Sequence, residues 1–192
     1  MLCLLSTLAA VASAQSTLTK YDTRYYMLYT DLDDEAVREI KHRIDFMAEA
    51  YNERLQGVGT GAVTRRLPFY LFSRAEDYLR AGGAVGTAGV FMRAANGDAK
   101  LMAIAPKGDP EFSWHVIQHE GFHQFVDAVI GGDVPVWVNE GLAEYFGHAR
   151  FTGDGYITGV IPGERLRRLK LLLQQESIRP LEVMMQILPR DW

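Results

Sequence analysis

The sequence predicts a single α+β domain, with strands early in the chain and helices late. Three observations carry that expectation. The alternating, aromatic-rich stretch "RYYMLYTDLD" and the apolar run "RLPFYLFS" read as strands. "GVFMRAANGDAKLMAIAP" reads as two more strands joined at Asn96-Gly97, a strong hairpin signal. From about residue 110 the pattern turns helical, with start and stop residues in the right places. At 192 residues the chain is long enough for one domain with a real core and marginal for two.

The chain opens on "MLCLLSTLAAVASAQ". Its apolar run is too short to span a bilayer, and Ala12-Ser13-Ala14 is an A-x-A cleavage signature. Residues 1–14 are therefore expected to be a signal peptide and residues 15–192 the mature domain. No Lys or Arg precedes the apolar run, so the true start is expected upstream. Cys3 is the only cysteine and would leave with the signal, so no disulfide and no thiolate ligand is expected. Together these features suggest a secreted or periplasmic protein of a bacterial envelope, with no stable membrane span after cleavage.

Next comes a strand over residues 24–33, after which Asp33 caps a helix over residues 34–55. Val37, Ile40, Ile44, Met47, Ala48 and Tyr51 recur at helical spacing and form its apolar stripe. "GVGTG" breaks the chain before the second strand, and Ser73 is expected to cap a short helix through Leu79. The glycine-rich loop "AGGAVGTAGVF" has neither phosphate-binding glycine pattern. Asp109, Pro110 and Glu111 suit the opening of a helix that runs to about Ile130 and stops at Gly131-Gly132. "VPVWVNEGLAEYFGHAR" is another helix, ending near Gly147. "PGERLRRLKLLLQQES" and "PLEVMMQILP" complete a helical C-terminal part.

Composition excludes little. Hydrophobic residues make up 48% and charged residues 23%, ordinary for a globular protein. A net charge of -4 argues against a nucleic-acid partner, which usually calls for a basic domain. Function must come from a site.

That site is "WHVIQHEGFHQFVDAV". His119 and His123 are four residues apart, so a helix brings them to one face, one turn apart. Two imidazoles so placed reach one ion at ~2.0–2.1 Å, the logic of H-E-x-x-H. Glu120 projects beside such an ion and suits proton transfer. A catalytic zinc needs a third protein ligand, and Glu140 on the following helix supplies a candidate. Glu144, one turn later, would accept the free ring N–H of a ligand histidine, His119 first. Gly121 weakens the helix by about 1 kcal/mol relative to Ala, and crowding by a neighbouring backbone would explain it.

On these two helices, "HEGFHQF" and "VPVWVNEGLAEYF", the chain resembles the gluzincin branch of the zincins, the group with thermolysin and the zinc aminopeptidases. More closely it resembles peptidase-MA-like bacterial domains of unknown function. The resemblance covers about residues 25–188. It implies a zincin-like fold, a mixed sheet packed on the active-site helix and followed by a helical C-terminal part. It also implies Zn2+ held by His119, His123 and Glu140, with Glu120 as base and acid and Glu144 behind a ligand histidine. The implied partner is a peptide or protein substrate. The chain departs from the better-known peptidases in its short spacing to the third ligand, its small size and its lack of a large C-terminal half. It stops at "LPRDW", where similar domains continue, so a C-terminally truncated or minimal form is expected.

An oxyanion also needs a stabilising group. Tyr156 and His148 are the candidates; Tyr145 reads as core. His115 shares the face of His119 and reads as a plain polar residue, with an alternative-ligand role or a substrate contact as the other options. His42 and the basic run Arg165, Arg167, Arg168 and Lys170 read as solvated. The hairpin before the active-site helix is either structural or an edge for an extended peptide. The expected function is a zinc metallopeptidase. The alternatives are a non-catalytic zinc-bound or peptide-binding envelope module and a metal-free envelope protein.

Overall fold

The computed structural model describes residues 17–59, 63–105, 110–131 and 134–187. The proposed signal peptide with Cys3, the Asp109 cap, Gly132 and the final "LPRDW" lie outside the described residues. Two strands, β1 (Thr19–Asp22) and β2 (Tyr26–Thr30), lead into α1 (Asp34–Arg54) and β3 (Leu67–Phe72). A short α2 (Ala75–Arg80) precedes the hairpin β4 (Gly89–Arg93) and β5 (Ala99–Ile104). Then follow α3 (Pro110–Phe125) with a π-helical turn (Val126–Ile130), and α4 (Val136–Gly147). A small hairpin, β6 (Arg150–Phe151) and β7 (Tyr156–Ile157), leads to α5 (Gly163–Gln174) and α6 (Leu181–Met184).

The chain is α+β, with a mixed five-stranded sheet in the order β1-β2-β3-β5-β4. The middle pairs, β2 with β3 and β3 with β5, are parallel, and the outer pairs are antiparallel. β4 is therefore an edge. Its inner hydrogen bonds fall on alternate residues: Ile104 N–H donates to Ala88 O, and Ala94 N–H to Asp98 O. By that parity Phe91 turns its N–H to the free edge.

The α1 stripe is as the spacing predicts, for all six expected residues are buried. Asp33 accepts from Ala36 N–H at 2.9 Å, so the cap stands too. α1 and α3 cover one sheet face. There Leu28, Phe69 and Leu101 meet Ile44, Met47, Tyr51, Ile117 and Phe122 in one core. Burying a side chain such as Phe122 contributes about 1.5–3 kcal/mol. α2 covers part of the other face, where its Tyr78 packs with Phe72 and Met102.

Several expectations are corrected. Ser73 does not cap α2. Its N–H and hydroxyl both go to Asp31, at 2.7 and 2.5 Å, and Arg74 holds the cap position without a side-chain bond. β1, β6 and β7 appear where no strand was expected. The helix over the histidines does reach Ile130, but its last turn is π, closed by Gly131 N–H to Val126 O at 2.9 Å. Gly131, at φ 62° and ψ 179°, then ends it in a conformation that suits only glycine. At Gly121 the crowding comes from side chains of α1, not from backbone. A Cβ there would lie 2.9 Å from Met47 Cε and 3.3 Å from the Tyr51 hydroxyl.

One buried side chain sets the two site helices against each other. Gln118 on α3 is 1% exposed. Its Nε2 lies 3.0, 2.9 and 3.0 Å from the carbonyls of Phe146, Gly147 and Ala149. Two N–H groups shared among three carbonyls cap the C-terminus of α4 from outside the helix. The Tyr51 hydroxyl donates to Gln118 O at 2.6 Å and ties α1 to the same point. Gln118→Leu keeps the volume and strands these carbonyls, so it is expected to cost about 2–4 kcal/mol. Calorimetry checks this as a fall in Tm of roughly 5–12 °C; an unchanged Tm would contradict the tie.

Candidate metal centre

The structure brings His119, His123 and Glu140 together. α3 presents both histidines on the face it turns to α4, and Glu140 comes from the second turn of α4. His119 Nε2 and His123 Nε2 are 3.1 Å apart. Glu140 places Oε2 at 3.4 Å from His119 Nε2 and Oε1 at 3.6 Å from His123 Nε2. Ligands at ~2.0–2.1 Å on a tetrahedral ion are separated by about 3.3–3.4 Å. The three donors already stand near that spacing, which is the test of fit for a zinc-sized ion. The two imidazoles cross at 83°, so lone pairs lying in their planes can converge. All three side chains are partly shielded, at 16%, 13% and 33% exposure.

The far side of each ring matters equally. His123 Nδ1 lies 3.1 Å from Asn139 Oδ1, a pure acceptor when the amide is so placed. That contact puts the proton on Nδ1 and leaves Nε2 with its lone pair. His119 Nδ1 is buried and faces Glu144 Oε1 at 3.6 Å, an ion-pair contact just beyond hydrogen-bond length. With both Nδ1 atoms directed at acceptors, two Nε2 lone pairs would face each other at 3.1 Å. Such a spot demands a cation. Burial lowers the His119 pKa, but the Glu140 hydrogen bond and the charges of Glu120, Glu144 and Glu140 outweigh it, and the net shift is upward. Glu140 moves downward, chiefly through that same hydrogen bond. A proton on His119 can answer the demand, and a metal ion must displace it.

Glu120 stands beside this group, bound to the sheet. Its Oε2 accepts the Phe91 N–H at 2.9 Å, the outward-facing donor of edge strand β4. α3 lies across β4 and β5, and Gly89 makes that approach possible: a Cβ there would sit 2.6 Å from Val116 Cγ1. The carboxylate thus marks the free edge of the sheet next to the donor cluster.

The remaining candidates separate. Tyr156 is not brought to the cluster. Its hydroxyl accepts from Arg43 Nε at 3.3 Å, and its ring packs on Phe151. Burial pushes its pKa up to about 12, against a lowering by Arg43. An oxyanion role for Tyr156 has no support in these contacts, because its hydroxyl pairs with Arg43 on α1. Tyr145 is at the surface, 36% exposed, and donates to Thr158 Oγ1 at 2.8 Å, so it is not core. His148 sits behind His119, with Nε2 at 3.3 Å from Glu144 Oε2. His115 is more than a plain polar residue. Its ring stacks on His148 at 4.2 Å and its Nε2 lies 3.9 Å from Glu144 Oε2. Arg165 leaves its otherwise solvated helix face to reach Glu144 Oε2 at 2.7 Å. His42 is exposed as expected, though its Nε2 lies 2.7 Å from the Gly153 carbonyl.

Sequence reasoning missed Asn139, Gln118, Phe91 N–H and Arg165. Asn139 alone left a trace, as the first letter of "NEG". Asn139→Ala removes the acceptor that fixes the His123 tautomer. It is expected to weaken zinc binding roughly 10–100-fold with the fold intact. Competition with a chromophoric chelator checks it, and unchanged affinity would mean that Asn139 orients nothing.

No protein-family model matches the chain, and no curated protein matches it.

Proposed function

We propose that the chain is a zinc-dependent metallohydrolase that cleaves peptide bonds, with a zincin-like arrangement of helix and sheet. The observation that carries the reading is the convergence of His119 Nε2, His123 Nε2 and Glu140 at 3.1–3.6 Å, with acceptors behind both rings. Two imidazoles and a carboxylate suit zinc. Zinc, when bound, acts as a Lewis acid that activates water and polarises a carbonyl.

The chain's own residues account for the rest. Glu120 holds a carboxylate within reach of the reacting groups, where it takes a proton from the nucleophile and returns it to the leaving amine. The Phe91 N–H keeps that carboxylate aimed. β4 offers a free edge to which an extended peptide can add as a further strand. An added strand would have to pass Glu120, which already holds the Phe91 donor of that edge. Glu144 and Asn139 orient the two ring ligands. His148 stands on the Glu144 side of His119 and has no oxyanion role in this reading. The substrate is a peptide or protein, and the place of action is the periplasm or the cell exterior. Among the described residues no helix is long and apolar enough to cross a membrane.

A second reading is a zinc-bound, peptide-binding envelope module without catalysis. The observation in its favour is the Glu120–Phe91 bond itself, which occupies one oxygen of the proposed base. The experiment that separates the two readings incubates the zinc-loaded chain with a mixed peptide library and reads new termini by mass spectrometry. New termini that disappear on chelation and return with zinc support the hydrolase. Peptide retention without cleavage supports the module, and neither result in zinc-loaded protein sinks both.

A further inference from the structure

We propose that His115, Glu144 and His148 form a second site for a divalent first-row metal ion, for which zinc is the best chemical match. The site lies behind His119 and involves neither His123 nor Glu140. Glu144 Oε2 is 3.3 Å from His148 Nε2 and 3.9 Å from His115 Nε2. Donor atoms of the three residues all fall within 4.8 Å of one another. A tetrahedral ion asks for about 3.3–3.5 Å, so a small closure suffices.

Three further facts point to a ligand. Glu144 Oε2 and His148 Nε2, the two closest donors, are buried atoms without a hydrogen-bond partner among the described residues, and Oε2 has only the Arg165 ion pair. Buried polar atoms left in that state cost roughly 1–3 kcal/mol each, so a group that completes them is worth having. Next, the three side chains are partly shielded from solvent, at 20%, 32% and 22% exposure for His115, Glu144 and His148. Finally, a cleft of about 400 Å³ reaches both rings past Trp114 and Arg150 and provides a way in.

The rival for Glu144 is Arg165. Its guanidinium lies 2.7 Å from Oε2, but as an ion pair without hydrogen-bond alignment, since that oxygen has no such partner. Arg165 is half exposed, on a helix that buries none of its residues. Such a pair contributes little and is easily replaced. Arg165 is therefore a counter-charge that an ion displaces. The two rings are stacked with a 31° tilt, so binding requires a side-chain turn. His148, at the C-cap of α4, is the one to make it. His115 is fixed: Gly147 packs so closely that a Cβ there would lie 3.0 Å from His115 Nδ1 and Cε1. Glu144 keeps its other oxygen toward His119, so the two sites share one carboxylate.

Equilibrium dialysis of the whole chain against zinc, read by elemental mass spectrometry, tests the site. The expected result is about two ions per chain in the wild type, about one in His123→Ala and close to none in His123→Ala/His148→Ala. Arg165→Ala removes the competing cation and should tighten the second ion by roughly tenfold, a gain that misfolding cannot imitate. One ion in the wild type and none in His123→Ala overturns the inference and leaves the proposed function standing. One ion in both, lost in His148→Ala, supports the inference and sinks the metal site of the proposed function. An Arg165→Ala chain with unchanged affinity for the second ion also overturns it.

Discussion

Glu120→Gln should keep zinc and lose peptide hydrolysis by about 10²–10⁴-fold in kcat/KM. The amide cannot take the proton, but its oxygen still accepts the Phe91 N–H that the carboxylate accepts at 2.9 Å. β4 therefore stays where it is, and the donors of His119, His123 and Glu140 are untouched. Measuring zinc content and kcat/KM on the same preparations separates the base from the ligands. A variant that binds zinc and cleaves as fast as the wild type would remove Glu120 from the chemistry and favour a peptide-binding module. A variant that loses zinc would mean that Glu120 is itself a ligand.

Glu140→Ala should abolish zinc binding between His119 and His123 while the chain stays folded. Glu140 is partly exposed near the start of α4, and the helix packs through Ala143 and Phe146 instead. Its loss takes away the only anionic donor of the set and leaves two histidine nitrogens 3.1 Å apart. The expected drop in zinc affinity exceeds the roughly 10–100-fold cost of losing an orienting partner such as Asn139. Far-ultraviolet circular dichroism should be unchanged, and calorimetry with zinc should show the variant gaining less Tm than the wild type. Equal zinc-induced stabilisation in both proteins would show that the ion binds elsewhere.

Much of this arrangement was legible because it is local. The α1 stripe follows from a 3.6-residue period, and Asp33 caps it with an oxygen three residues from its donor. Asn96-Gly97 marks a hairpin because Gly97, at φ 88°, has the backbone freedom that the turn requires. His119 and His123 share a face by helical geometry alone. Glu140 was within reach because the break after Ile130 lets α4 fold back on α3. What stayed hidden depends on contacts between distant segments. Gln118 looks like any polar residue until its amide meets the end of α4, 28 residues later. Arg165 belongs to a basic run in the sequence, and only the approach of α5 brings it to Glu144. His115 was undervalued for the same reason, since its partner His148 comes from the far end of α4.

Other misreadings have local causes. β6 and β7 are two residues each, too short for any alternation to show. The π turn uses the same apolar residues as an α turn, so spacing does not betray it. Ser73 has the chemistry of a cap, and Asp31 took its hydrogen bonds first. Tyr156 followed the third ligand closely in sequence, and the β6–β7 turn carried its hydroxyl to Arg43.

The central claim is that His119, His123 and Glu140 hold one zinc ion together. Crystals grown with a single equivalent of zinc and measured at the zinc absorption edge test it most directly. One strong anomalous peak is expected, at ~2.0–2.2 Å from His119 Nε2, His123 Nε2 and a Glu140 oxygen. No peak among these three atoms, in crystals that contain zinc, would contradict it.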